Sequence, residues 1–235
     1  IYMRAKELHV APEVPRGVFL VRQAESGAAA LIDVIQGLFP DRQNDFVLNV
    51  GDSDVALIHQ LPELGADKEV ARVTALLEEA LLTNSEHHIV IGIGTVALHL
   101  RELARSYKEA QIAIEVGKVF DTEKYIINYE NLGIGRLIYQ LPTTLCEMFL
   151  VEVFKKNPID SLDQETLFTI HKFFENNLNV SETARKLFVH RNTLVYRLEK
   201  IKKLTGLDLR EFDDAITFKV ALMVKKYLTS RGIDA

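Results

Sequence analysis

The chain has no tryptophan and only one cysteine, Cys146, in 235 residues. A single thiol excludes a disulfide framework within the chain and any cysteine-built metal site, and a reducing cytoplasm fits. Long apolar runs are also lacking. None approaches the ~20 residues of a membrane-spanning helix, and the start does not resemble a secretory signal. A large charge excess is lacking too, with 28 Lys and Arg against 33 Asp and Glu. What remains is 48% hydrophobic and 26% charged, the composition of an ordinary soluble protein with one large or two modest cores.

The small net charge hides an uneven distribution. Residues 1–162 carry 15 Lys and Arg against 23 Asp and Glu, residues 163–203 carry 8 against 5, and the remainder balances. An acidic body with one basic stretch is the pattern expected when a single surface meets phosphate.

That basic stretch centres on Val180 to Lys203. Ser181 is placed as the cap of a short helix, with Glu182 suited to the positive end of its dipole. Thr183, Ala184 and Leu187 form a small buried face, and Phe188-Val189-His190 interrupts the pattern. In the helix that follows, Leu194, Leu198 and Ile201 fall at i, i+4 and i+7, one apolar stripe of a 3.6-residue period. Thr193, Tyr196, Arg197 and Lys200 form a second, polar stripe. Two short helices with a tight break, the second basic on one side, make a helix-turn-helix whose second helix reads a DNA major groove.

The run Ala184 to Leu198, A-R-K-L-F-V-H-R-N-T-L-V-Y-R-L, resembles the Fis-type helix-turn-helix. With Lys200-Ile201, Leu204-Thr205-Gly206 and the apolar helix Ala215 to Leu228, it more closely resembles the C-terminal domain of the purine-catabolism and sugar-diacid regulators, the PucR/CdaR type. That resemblance spans residues 163–230. One departure is Phe188, where many members of the family carry glycine; a left-handed backbone there costs a phenylalanine something.

Along the chain, residues 1–12 read as helix up to Pro12 and Pro15. Strands are expected at 17–22, 46–50, 55–60, 88–93 and 125–129. Helices are expected from Ser26 to Leu38, Lys68 to Leu82, Leu98 to Val116, Gly133 to Gln140 and Leu145 to Lys156. The order β-α-β-β-α-β with a further helix and strand is a ferredoxin-like split arrangement. It resembles the GGDEF-like domain that precedes the helix-turn-helix in the same regulators, carried by Ile91-Gly-Ile-Gly94, the helix Leu103 to Ala110 and Tyr129 to Gly133. The expected class is therefore α+β: a ferredoxin-like, degenerate GGDEF-like domain followed by an all-α helix-turn-helix domain. The expected divisions are a connector at 1–14, the GGDEF-like domain at 15–142, a connecting helix and linker at 143–162, and the DNA-binding domain at 163–230. The chain opens on Ile1, and the family resemblance implies an upstream domain that senses a small-molecule effector.

Active GGDEF cyclases need two carboxylates holding divalent metal and a glycine-rich hairpin that lets a nucleotide approach the backbone. Here the first strand ends Val21-Arg22-Gln23, with Glu25 a distant substitute, and the hairpin Val50-Gly-Asp-Ser-Asp-Val55 has one glycine. Asp52 and Asp54 read as turn formers. The domain is expected to be non-catalytic, a dimer contact or signal relay, with no cofactor. The alternative is a nucleotidyl cyclase-like enzyme with a regulatory tail, and an RNA-binding module is a weaker third.

Other patterns carry less. Gly92-Ile-Gly94 is a partial nucleotide fingerprint explained by strand-end geometry. His87 and His88 are adjacent on a strand and point to opposite faces. His59 and His99 read as structural, and Ser106-Tyr107-Lys108 as packing. Lys202-Lys203 is either a solvated pair or a phosphate contact.

For double-stranded DNA, Arg191, Asn192 and Arg197 are the expected base readers, since Arg suits guanine and Asn suits adenine. Thr193, Tyr196 and Lys200, with Ser181 and Arg185 from the preceding helix, are expected on the backbone, and His190 as a helix cap or phosphate contact. The rival reading of Arg197 is an ion pair with a nearby glutamate; that of Asn192 is a helix cap. The last helix is apolar on more than one face, and its surplus is expected to form a homodimer contact.

Overall fold

The computed structural model describes residues 2–7, 10–23, 28–82, 89–120, 123–154 and 162–233. Glu25, Ser26, His87, His88 and the linker at 157–161 lie outside them. The chain divides into two compact units, Ile1–Arg136 and Leu137–Ala235.

The first unit opens with α1 (Tyr2–Glu7) and β1 (Arg16–Gln23), followed by α2 (Ala28–Leu38), β2 (Asp45–Asn49), β3 (Asp54–Gln60), α3 (Ala66–Leu82), β4 (Ile89–Ile93), α4 (Leu103–Phe120) and β5 (Ile126–Asn128). The sheet order is β2-β3-β1-β4-β5. The first four strands pair antiparallel, with Val18 opposite Ile58 and Val21 opposite Ile91, and β5 joins β4 in parallel. This is the ferredoxin-like arrangement with one added edge strand.

Alternation along β1 sends Phe19 and Val21 to one face, where they pack with Leu31 and Ile35 of α2 and Val73 and Leu77 of α3. Leu20 faces the other side, against Ala110 and Ile114 of α4. Both faces of the strand are covered, which is why it reads as a continuous apolar run. The segment ahead of β1 is stitched down: the buried Arg16 donates to Ala11 O at 2.7 Å and Val14 O at 3.2 Å, and Leu61 N–H donates to Pro15 O at 2.8 Å.

The second unit holds α6 (Thr143–Phe154), α7 (Gln164–Glu175), α8 (Val180–Lys186), α9 (Arg191–Thr205) and α10 (Phe212–Ser230), while α5 (Ile134–Tyr139) runs across the division. On α7, Ile170 and Phe173 are fully buried and Phe174 is half-buried. Of the two apolar faces of α10, one is buried and the other, with Ile216 exposed, is not. Its core face carries Ala215, Phe218, Ala221 and Val224, and α6 lies along it, with Phe154 edge-on to Phe218 at 5.5 Å between ring centres. Cys146 is buried on the inward side of α6, and burial raises its thiol pKa.

Candidate nucleic-acid interface

Three helices of the second unit, α7, α8 and α9, build the helix-turn-helix. Asp163 caps α7 by accepting from Thr166 N–H at 2.7 Å. The cap of α8 is Asn179, which accepts from Glu182 N–H at 3.0 Å, and not Ser181. Asn179 follows two left-handed residues, Asn177 and Leu178, that turn the chain after α7, so the helix starts one residue before Ser181. Ser181 therefore stands exposed in the first turn. Thr183 is fully buried and donates back to Asn179 O, and small Ala184 is buried beside it where α8 meets α9.

The turn from α8 to α9 is a Schellman closure. Phe188 N–H donates to Arg185 O at 3.2 Å and Val189 N–H to Ala184 O at 3.0 Å. The residue at the left-handed position is Phe188, at φ +54°. Glycine takes this conformation freely, whereas an L-residue with a Cβ loses about 1–2 kcal/mol there. The cost expected from the sequence is thus present. The ring obtains no packing in return, since Phe188 is 96% exposed.

His190 caps α9 by accepting from Asn192 N–H on Nδ1 at 3.2 Å. Asn192 is therefore inside the first turn rather than its cap, with its side chain exposed. Leu194, Leu198 and Ile201 face the core as the period required. The helix ends at Gly206, left-handed at φ +81°.

The polar residues of α9 separate into two groups. Arg191, Asn192, Thr193 and Tyr196 are exposed, Tyr196 at 73%. Opposite the core stripe, the period aligns Asn192, Tyr196 and Lys203 at i, i+4 and i+11. Arg197 and Lys200 are instead turned to α7. Arg197 pairs with Glu165 at 2.5 Å and donates to Thr169 Oγ1 at 3.2 Å. Lys200 pairs with Asp163 at 3.0 Å. Hydrogen bonds from Thr166, then Lys200, hold the Asp163 carboxyl at about 2. Glu165, Arg197 and Lys200 with neighbouring threonines line a cleft of about 250 Å³ between α7 and α9. On α8, Arg185 is paired with Glu182 at 2.7 Å. Arg191, by contrast, has no ion pair among the described residues. Lys203 was undecided in the sequence because its neighbour Lys202 shares its chemistry. The structure separates them: Lys202 pairs with Asp208 at 3.1 Å and Lys203 stays exposed.

In the first unit, Arg22 stands where the cyclase pattern has a carboxylate. It donates to both oxygens of Asp54 at 2.8 Å and also pairs with Glu115. A guanidinium thus occupies both oxygens of the Asp54 carboxylate. Among the described residues no group of three or more His, Cys, Asp or Glu is arranged to hold a metal. Gly92 and Gly94 are spacers for α4: a Cβ on Gly94 would stand 2.1 Å from Ser106 O, and one on Gly92 2.2 Å from Ala110 O. Buried Ser106 donates to Thr95 O at 2.7 Å, a structural role. His59 lies between Asp45 at 2.7 Å and Glu69 at 3.0 Å, joining β2, β3 and α3.

Comparison with known proteins agrees with this division. Residues 166–224 match the PucR C-terminal helix-turn-helix domain, and residues 1–116 match the GGDEF-like domain. The chain thus carries a GGDEF-like domain followed by a PucR-type helix-turn-helix domain. It is 29% identical over 60% of its length to the purine catabolism regulatory protein of Bacillus subtilis, and 35% identical over 57% to the carbohydrate diacid regulator of Escherichia coli. It is 31% identical over 59% to the proline-responsive transcriptional activator PutR of B. subtilis. These matches span 27%, 35% and 34% of the respective relatives, so the chain covers about a third of each. Among its described residues, no helix is long and apolar enough to cross a membrane.

Proposed function

We propose that the protein is a sequence-specific, DNA-binding transcriptional regulator, cytoplasmic and dimeric, that answers to a small metabolite of the sugar-diacid or purine-breakdown type. The observation that carries this reading is the outward side of α9. Arg191 and Asn192 stand exposed in its first turn, with no ion pair to Arg191 among the described residues, where a helix-turn-helix meets base edges. Arg191 suits guanine and Asn192 suits adenine. Tyr196, Thr193 and Lys203 serve the backbone, with Ser181 and Arg185 from α8 flanking them. Arg197 and Lys200 act mainly by seating α9 on α7, since both are paired there. The relatives' names, regulators of purine catabolism, carbohydrate diacids and proline response, support the metabolite class.

The GGDEF-like unit serves as scaffold, dimer contact or signal relay and not as a cyclase, because Arg22 neutralises Asp54 where a cyclase requires metal-holding carboxylates. Selection of bound fragments from genomic DNA, followed by salt titration of the best one, tests the reading. Enrichment of a shared sequence is expected, and retention of random fragments alone would refute sequence-specific binding. Incubation with GTP and Mg²⁺ or Mn²⁺ tests the second part, and turnover would refute it.

A further inference from the structure

Phe188 is the one residue of the helix-turn-helix whose conformation and exposure both run against its chemistry. It holds a left-handed backbone, and its ring is almost wholly in water. Among the described residues the ring is left 96% exposed, and glycine would close the same turn with less strain. The surroundings identify what meets it. Arg185 is held by Glu182 and Arg197 by Glu165, but Lys186 and Arg191, on either side of the turn, have no ion pair among the described residues. Lys186 and His190, close to the phenylalanine on either side, are also exposed. An apolar ring framed by cations complements a polyanion that has apolar patches between its charges. The deoxyribose rings and thymine methyl groups along a DNA groove answer that description.

Distance favours the same partner. Phe188 is two residues before the cap of α9, so their Cα atoms are at most ~7 Å apart. If the first turn of α9 enters the major groove, the phenylalanine ring is carried to the groove wall. We infer that the α8–α9 turn is itself part of the DNA interface, with Phe188 lying on sugar or thymine methyl at the groove edge and Lys186 on the neighbouring phosphate. This rests on the DNA-binding reading above and adds to it a contact made through an apolar side chain.

The test uses the full chain and the fragment selected by the wild-type protein. Phe188→Gly removes both ring and strain, Phe188→Ala removes the ring alone, and Phe188→Trp keeps an aromatic ring. The glycine variant is expected to melt several degrees higher, on the order of 4 °C, yet to bind the fragment about 5-fold or more weakly, with the alanine variant weakened alike and the tryptophan variant near wild type. Greater stability with poorer binding is an outcome that a purely structural role cannot produce. Glycine and alanine variants that bind as tightly as wild type, while Arg191→Ala has lost the fragment, would overturn the contact alone. A wild-type protein that selects no fragment would overturn the DNA reading, and this contact with it.

Discussion

Two arginines on one helix, six residues apart, are expected to fail in opposite ways. Arg197 joins α9 to α7 through Glu165 at 2.5 Å and Thr169 at 3.2 Å, and its side chain is 27% exposed. Truncation to alanine removes one hydrogen bond, about 1 kcal/mol net, and an ion pair whose glutamate is largely in water, about 0–1 kcal/mol. It also strips the aliphatic stem from the α7–α9 contact. Arg197→Ala should therefore destabilise the helix-turn-helix unit by about 1–2 kcal/mol, read as a lower urea midpoint with an unchanged slope. Its DNA affinity should fall by a similar factor for the selected and for a random fragment. Arg191 is exposed and has no ion pair among the described residues, so Arg191→Ala should change stability by less than about 0.5 kcal/mol. If it reads a base, it loses about 1–3 kcal/mol of discrimination, roughly 5- to 150-fold against the selected fragment only. The reasoning fails if Arg197→Ala is as stable as wild type and loses only specific binding, or if Arg191→Ala binds the selected fragment undiminished.

Gly94→Ala should destabilise the first unit by about 2–3 kcal/mol or more, the upper range of overpacking, because its Cβ would meet a backbone carbonyl of α4 that no rotamer change can move; unfolding in urea with an unshifted midpoint would contradict this. Arg72, and then His59, hold the Glu69 carboxyl at about 2 against an ordinary 4.5. A folded-state pKa below the unfolded one contributes stability that is full above pH 4.5 and lost as pH falls toward 2. Glu69→Gln should accordingly flatten the pH dependence of stability in that window, and an unchanged acid limb would refute the assignment. Cys146 is buried with its thiol pKa raised. It should resist a thiol reagent at neutral pH until the helical unit opens, so modification at the rate of a free thiol in the native protein would show that α6 does not seal it.

Most of the architecture was legible because local periods and turn residues were unambiguous. The short apolar runs of β1 and β3, the Gly51-Asp-Ser hairpin and the i, i+4, i+7 stripe of Leu194, Leu198 and Ile201 specify elements without reference to anything distant. Helix starts were less legible where several capping residues stood together. Asn179 and Ser181 are both good caps, and the choice between them was made by left-handed Asn177 and Leu178, which set where the chain re-enters helix. His190 capping α9 was one of two readings open in the sequence, and it excluded the cap reading of Asn192.

Side-chain partners across elements were the least legible. Charge segregation alone marked residues 163–203 as the basic stretch suited to an anion, since a cation excess opposite an apolar stripe needs no tertiary information. Which cations remain free to do so depended on the fold. Asp163 and Glu165 precede Arg197 and Lys200 by more than thirty residues, and only the packing of α7 on α9 brings them within ion-pair distance. The same holds for Arg22 and Asp54, neighbours through the β1–β3 register and not through the chain. Periodicity is a property of consecutive residues and survives in the sequence; pairing between elements is set by how helices and strands cross, and only the folded chain decides it.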